Sequence, residues 1–472
     1  MTPATLDVSR DSGGATLIIR GGRVVTEVGV VDADIHVVDG SIESIGSGFS
    51  GGPVVDARGA WVLPGVVDPH VHTSVGGFHT IDPLAEDLKQ ATDAAVMGGV
   101  TTVGAYVSRG PEMGLIDTVK YQIQFGTEHS AVDFAINALC LPGDPLTEVV
   151  DAGVGLGVTT YKAFLGYYVR GAMLEDDELV ELMVAVASHN GLLLIHPENG
   201  RATKYYHDIE YTRDPTDAEG FLRCSPGILE AEGMFRAAAL AELTGCDVLF
   251  VHLSAAETVG VLSRLKDGAA SPRIWSETQP HYLILTEDAL LKHGSLGKIG
   301  PPLRRSEDVA AVWDAVDAGH VDLLSSDHSP RTKAMKQAAR TIFDAPYGGI
   351  TSSEALFPLA YALGFETGRF DIRRLAELTA TNAAKAYGLY PRKGAIRVGA
   401  DADFAIVPIE GEAREIGPHT LHGRSDYSIY GGLTSRGFPK YVVRRGYLAV
   451  SEGEVLDNPS GRYLARGMKS CL

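Results

Sequence analysis

The chain has 472 residues, 45 % of them apolar and 21 % charged, enough for one large core with a smaller companion. Its net charge of −19 argues against nucleic acid or an anionic membrane as a partner. There is no apolar run of about 18 residues to span a membrane and no basic flank with an apolar stretch to make a secretory leader. The four cysteines, without CxxC spacing, fit a reducing cytoplasm better than a disulfide framework or a cysteine-based zinc site.

From the N-terminus, Leu17 to Val25 reads as a strand pair around a glycine turn. Ala33 to Ile42 reads as a hairpin with Asp39-Gly40 at its tip. The far end is alike, with strand patterns at 401–407 and 440–447. Neither end is long enough for a core of its own, so the two are expected to pack together as one β-sandwich. Between them, apolar strands alternate with amphipathic helices. Strands are predicted at 65–72, 100–107, 132–140, 157–165, 191–198, 247–254, 273–283 and 321–329. Helices are predicted over Leu174–Asn190, Ile228–Thr244 and Ser306–Ala318, which start acidic or stop at a glycine. Eight strand–helix units point to a closed parallel (β/α)8 barrel, with a doubly wound sheet as the rival. The expected division is 1–63 and 391–472 for the sandwich and its tail, and 64–390 for the barrel. The tail from Gly461 is expected to reach a neighbouring subunit.

The chemistry-bearing residues stand where these strands end. His70 and His72, two apart on a strand, point to one face and can share one metal. Lys162 lies within an apolar strand, where a charged amine is costly; a neutral amine there could capture carbon dioxide and bridge two metals as a carbamate. His196, His252 and Asp327 finish strands five, six and eight. Each has an ordinary explanation alone, as a snorkelling lysine, a core histidine or a capping aspartate. Together they mark the end of a barrel where active sites gather, with donors suited to zinc, manganese, iron or cobalt. His281 and His328 lie near this site without an evident role. His79, His129, His189, His207, His293 and His422 read as surface residues.

The chain resembles the cyclic amidohydrolases (hydantoinases, dihydropyrimidinases and allantoinases) of the amidohydrolase superfamily. The resemblance runs from about Leu17 to Leu464. It rests on PGVVDPHVH at 64–72, YKAFLGYY at 161–168, IHPENG at 195–200, VHLSAAE at 251–257, ETQPHYL at 277–283, PPLR at 301–304, DLLSSDHSP at 322–330 and GLYPRKGAIRVGADAD at 388–403. It implies a binuclear centre, most simply of zinc. His70 and His72 would bind the buried ion and His196 and His252 the outer one. Lys162, as N6-carboxylysine, would bridge them, and Asp327 would complete the first shell and shuttle the proton. Tyr167 would contact substrate and stabilise the oxyanion, and Pro280 and Tyr347 would line the ring. The implied reaction is ring opening of a hydantoin, dihydropyrimidine or related cyclic amide by an activated hydroxide. Allantoin hydrolysis, another hydrolase of the superfamily and a non-catalytic scaffold are the alternatives. A homo-oligomer, a dimer or tetramer, is also implied. Two positions depart from the family pattern: Gly300 stands before PPLR and Tyr347 before Gly348-Gly349, both where asparagine is usual. Segments 73–80, 166–173, 200–226 and 331–350 are expected to wall the pocket, with Phe78, Tyr167, Tyr168, Tyr205, Tyr206 and Phe221 as its aromatic residues.

Overall fold

A computed structural model describes residues 16–72, 75–77, 80–81, 88–110, 112–267, 273–345, 349–456 and 458–467. Eight short, apolar segments become parallel strands: β1 (Val66–His72), β2 (Val100–Val107), β3 (Asp133–Leu139), β4 (Thr160–Phe164), β5 (Leu192–His196), β6 (Asp247–Phe250), β7 (Ile274–Thr278) and β8 (Leu323–Leu324). They pair in sequence order. Such continuous burial is what strands covered on both faces require. The ring closes between β8 and β1, where His72 N–H donates to His328 O at 2.7 Å and His328 N–H to His70 O at 3.2 Å. Closure excludes the doubly wound sheet and makes the middle of the chain a (β/α)8 barrel.

The three predicted helices form as Asp176–Ser188, Gly227–Thr244 and Ser306–Asp317. The first is fixed by a capping box between Glu175 and Glu178, and the second stops at Gly245, whose φ of 71° a glycine adopts without strain. Among the described residues no helix is long and apolar enough to cross a membrane.

The two chain ends join in one nine-stranded sheet. Ala60–Pro64 from the first end pairs antiparallel with Phe404–Pro408 from the second. Leu17, Ile19, Val24, Ile35 and Val37 share an apolar core with Ile396, Phe404, Ile406 and Val443. The hairpin at Asp39-Gly40 forms as expected, with both residues at positive φ. The expected turn within 17–25 does not form. Thr16–Thr26 is one strand with a bulge between Ile19 and Gly22, because Gly21 takes a φ of 70° and Gly22 packs so tightly that a Cβ would lie 2.4 Å from Val62. Strand eight is also shorter than predicted, since Asp327 turns the backbone to a φ of 49°. The described part of the tail lies on its own barrel: Phe134 N–H donates to Arg462 O at 3.0 Å, Leu464 N–H to Phe134 O at 2.7 Å, and Arg466 N–H to Gly157 O at 2.9 Å.

Barrel and sheet are tied by a buried ion cluster. Lys393 Nζ lies 2.6 Å from Asp133 at the start of β3, 2.6 Å from Asp403 and 3.0 Å from Asp401. Arg445 Nε reaches Asp133 Oδ1 at 3.0 Å. The three aspartates are close enough together to suggest a metal site, but Lys393, with Arg445 on Asp133 and Arg392 on Asp401, already supplies their countercharge. Burial alone would raise the Asp133 carboxyl; Lys393 and Arg445 instead hold it at about 2. Removing one member of such a cluster strands the others without countercharge. Lys393→Met is therefore expected to lower the unfolding free energy by about 3–5 kcal/mol, read as a shift in urea midpoint at unchanged slope.

Candidate active site

The residues singled out from the sequence converge at the C-terminal mouth of the barrel. His70 Nε2 and His72 Nε2 both face Asp327 Oδ1, at 3.1 Å and 3.2 Å. One donor atom from each lies within 4.8 Å of the others, a grouping able to hold a metal ion. Across the mouth, His196 Nδ1 lies 2.8 Å from His252 Nε2. Lys162 rises from β4 with 1 % exposure, and its Nζ has no hydrogen-bond partner. Its ammonium faces the rings of Tyr106 and Phe164, at 5.6 Å and 5.2 Å. Burial pushes the amine down to about 7, against the pull of Glu277 and Asp327. For Asp327 burial acts upward, yet the neighbouring His70 and His72 hold the carboxyl well below its usual range.

Carboxylates aim these histidines, and the sequence reading passed over them. Glu277 Oε1 holds His70 Nδ1 at 2.5 Å, which leaves Nε2 directed at Asp327. Glu198 Oε2 holds His196 Nε2 at 2.7 Å, which leaves Nδ1 for the mouth. Orientation of a ligating imidazole by a carboxylate on its other nitrogen is a recurrent feature of metal sites. Asp68 accepts from Ser326 N–H at 3.0 Å and from Ser353 Oγ at 2.7 Å, fastening β1 to the chain after β8. Glu198 and Asp68 were legible in principle, since each stands two residues from a histidine on the same strand or its extension. Arg304, from PPLR, meets Glu230 at 3.1 Å and braces the loops after β5 and β6.

The fit of a metal follows from this donor set. His70 has a carboxylate at each ring nitrogen, and two imidazole nitrogens oppose each other in the His196–His252 pair. A buried amine without a partner stands between these groups. Cations at the mouth would be met by the Asp327 carboxylate, the imidazole nitrogens and, once it is carboxylated, the Lys162 side chain. The backbone carries a matching sign of constraint. Of seven described non-glycine residues at positive φ, Tyr167, His252 and Asp327 belong to this site. Such conformations are disfavoured and collect at functional sites.

Tyr167 packs with its ring centre 4.5 Å from that of His196, the two rings tilted by 38°, and donates its hydroxyl to Gly300 O at 3.1 Å. This explains glycine at 300: a Cβ there would lie 2.4 Å from the Tyr167 hydroxyl. Pro280 is buried and starts a short turn after β7. Tyr347 lies outside the described residues, as do Phe78 and His79. His281 and His328 are fully enclosed; burial lowers them to about 4 and about 3. His328 Nδ1 accepts from Ser352 and Ser353 N–H, so its role is to hold the seam.

Beside Tyr167 a small cleft of about 40 Å³ opens to solvent, lined by Tyr168, Val169, Arg170, Phe221 and Cys224 among others. Tyr167, Tyr168 and Phe221 thus line it as expected. Tyr205 and Tyr206 do not; they stand exposed on the helix Gly200–Arg213. His207, read from sequence as a surface residue, is half-buried against Phe343 and lines the cleft. His422, also read as a surface residue, pairs at 2.7 Å with the buried Glu354.

The Amidohydrolase family profile matches residues 173–448. The chain belongs to the amidohydrolase family. It is 33 % identical to the D-hydantoinase of Ralstonia pickettii, over 95 % of this chain and 98 % of that one. It is 32 % identical to the allantoinase of Rubrobacter xylanophilus, over 95 % and 97 %. The crystal structure of dihydropyrimidinase from Brevibacillus agri superposes with a TM-score of 0.90 at 25 % identity, covering 97 % of this chain and all of that one. The family is metal-dependent, in keeping with the donor cluster at the barrel mouth.

The buried amine carries a measurable signature. Unfolded, Lys162 keeps its proton to about 10.5; folded, only to about 7. Between these values the unfolded chain binds more protons, so the Lys162 contribution makes stability rise with pH. In chelator-treated protein free of carbon dioxide, Lys162→Met is expected to exceed the parent in stability by a few kcal/mol at pH 7. The gap should close towards pH 10.5; denaturant titrations across this range measure it.

Proposed function

We propose that this chain is a binuclear-metal hydrolase that opens cyclic amide rings such as hydantoins and dihydropyrimidines. The observation that carries the reading is the convergence of four histidines, Asp327 and a buried, unpartnered lysine at one barrel mouth. His70 and His72 would hold one ion, with Asp327 completing its shell. His196 and His252 would hold the other. Attack of the neutral Lys162 amine on carbon dioxide forms a nitrogen–carbon bond and releases one proton; the carbamate would span both sites. Zinc is the simplest occupant for this donor set. Bound there, the metals would supply a Lewis acid for the carbonyl and lower the pKa of water.

The chain's own groups do the rest. Asp327 takes the proton of the attacking water and returns it to the leaving ring nitrogen as the carbon–nitrogen bond breaks. The Tyr167 hydroxyl, which donates to Gly300 O in this structure, would turn to the substrate carbonyl oxygen and donate to it as charge develops. The backbone at Pro280 would hold the ring amide, and Tyr347, which lies outside the described residues, is the further expected contact. The buried cysteines Cys140 and Cys224, in no disulfide among the described residues, support a reducing, cytoplasmic setting. Likeness to the hydantoinases supports a homo-oligomer.

Protein loaded with zinc and bicarbonate is expected to open at least one of hydantoin, benzylhydantoin, dihydrouracil and allantoin. Lys162→Ala should lose on the order of a thousandfold in rate. Loaded protein that opens none of these rings, or a variant as fast as its parent, would contradict the proposal.

A further inference from the structure

Lys298 is a buried lysine that the chemistry of the mouth does not use. Its ammonium donates to the carbonyls of Ile342 at 2.7 Å, Phe343 at 2.8 Å and Ala345 at 2.6 Å. Three carbonyls of one short stretch match the three donors of an ammonium. Buried away from water, these acceptors would be left unsatisfied without it, so the side chain bonds that stretch to its own segment. The ammonium also lies 4.8 Å over the Phe221 ring, and Phe343 meets the same ring edge-on at 5.8 Å. From the same loop as the three carbonyls, the buried Lys336 donates to Lys298 O at 2.6 Å. The two lysines thus join the two segments in both directions.

Both segments run into the site. The loop leaves the barrel seam at His328 and returns at Ile350, and these two residues are bridged in parallel. Its near part is fastened separately: Lys333 N–H donates to Asp426 Oδ1 at 2.6 Å and Ser425 Oγ to Arg331 O at 2.8 Å. Its far part, 342–345, is the part that Lys298 holds. Where the loop returns, a Cβ on Gly349 would lie 2.9 Å from Asp327 O. On the other segment, Lys298 stands two positions before Gly300, whose carbonyl receives the Tyr167 hydroxyl. Gly297 presses that segment against its preceding helix, since a Cβ there would lie 2.9 Å from Ala289 O. Movement at Lys298 therefore reaches Tyr167 through Gly300, and movement of the loop reaches the backbone of Asp327.

We propose that Lys298 is a positioning residue for ring opening, whose ammonium staples the loop after β8 to the segment before PPLR and so sets where Tyr167 and Asp327 meet the substrate. It touches no reacting atom and acts through those two groups. Because both act as charge and protons move, misplacing them lowers kcat rather than raising KM. The inference rests on the cyclic-amide reading of the mouth.

The test measures ring-opening kinetics and backbone hydrogen exchange in zinc-loaded Lys298→Met. Lys393→Met runs beside it, as loss of another buried lysine, one that braces the opposite end of the barrel. Lys298→Met is expected to lower kcat by on the order of tenfold to a hundredfold with KM within about threefold of the parent. Amide exchange over 338–345 should quicken by about tenfold or more. Lys393→Met should do neither. Exchange and kcat within about twofold of the parent in Lys298→Met would overturn the inference, and so would equal losses in Lys393→Met, which would mark general destabilisation. If Lys298→Met does not fold, Lys336→Met, which removes only the donor to the Lys298 carbonyl, decides by the same two readouts: quicker exchange with lower kcat supports the staple, and neither overturns it. If the loaded parent opens no ring, the cyclic-amide reading falls, and the exchange data alone decide whether Lys298 holds the loop.

Discussion

The seam where β8 meets β1 governs the rest of the molecule. A parallel barrel closes only if its last strand reaches its first, and here the last strand is two residues long. Closure falls to groups beyond the regular ladder: His328 backbone to His70 and His72, and the Asp68 carboxylate to Ser326 and Ser353. These bonds bring Asp327 against both β1 histidines. The cluster able to hold a metal is thus a consequence of how the barrel shuts. Fixing the ligand geometry by packed, hydrogen-bonded elements is what a metal site needs before metal arrives.

The same economy appears in the two carboxylates behind the histidines. Glu277 and Glu198 each take one nitrogen of a histidine and so choose which nitrogen faces the mouth. The left-handed conformations of Tyr167, His252 and Asp327 cost on the order of 1–3 kcal/mol each, and they hold because the surrounding chain is buried and bonded. Lys393 and its three aspartates fasten the barrel to the sheet built from both chain ends, so the scaffold carrying the seam is braced from outside.

Much of this was legible in the sequence, for identifiable reasons. Apolar runs ending in His70, His72, Lys162, His196 and Asp327 announced both strands and donors, because a period of two places alternate residues on one face. What escaped depended on contacts distant in sequence. Glu277 meets His70 across 207 positions. Nothing local marks Gly300 as the acceptor of the Tyr167 hydroxyl, or Lys298 as a cation held by three carbonyls. The bulge at Gly21 imitated a turn because glycine pairs signal both. Tyr205 and Tyr206 misled because helical phase, which neighbouring aromatics do not reveal, set them outward.

The central claim is that one buried lysine, carboxylated, organises two metals at the barrel mouth. Its most direct measurement is metal and carbamate stoichiometry in protein purified with zinc and isotopically labelled bicarbonate, by elemental mass spectrometry and carbon NMR. The account predicts two ions per chain and one labelled carbon bonded to Lys162. A catalytically competent chain with a single ion, or with an unmodified Lys162, would contradict it.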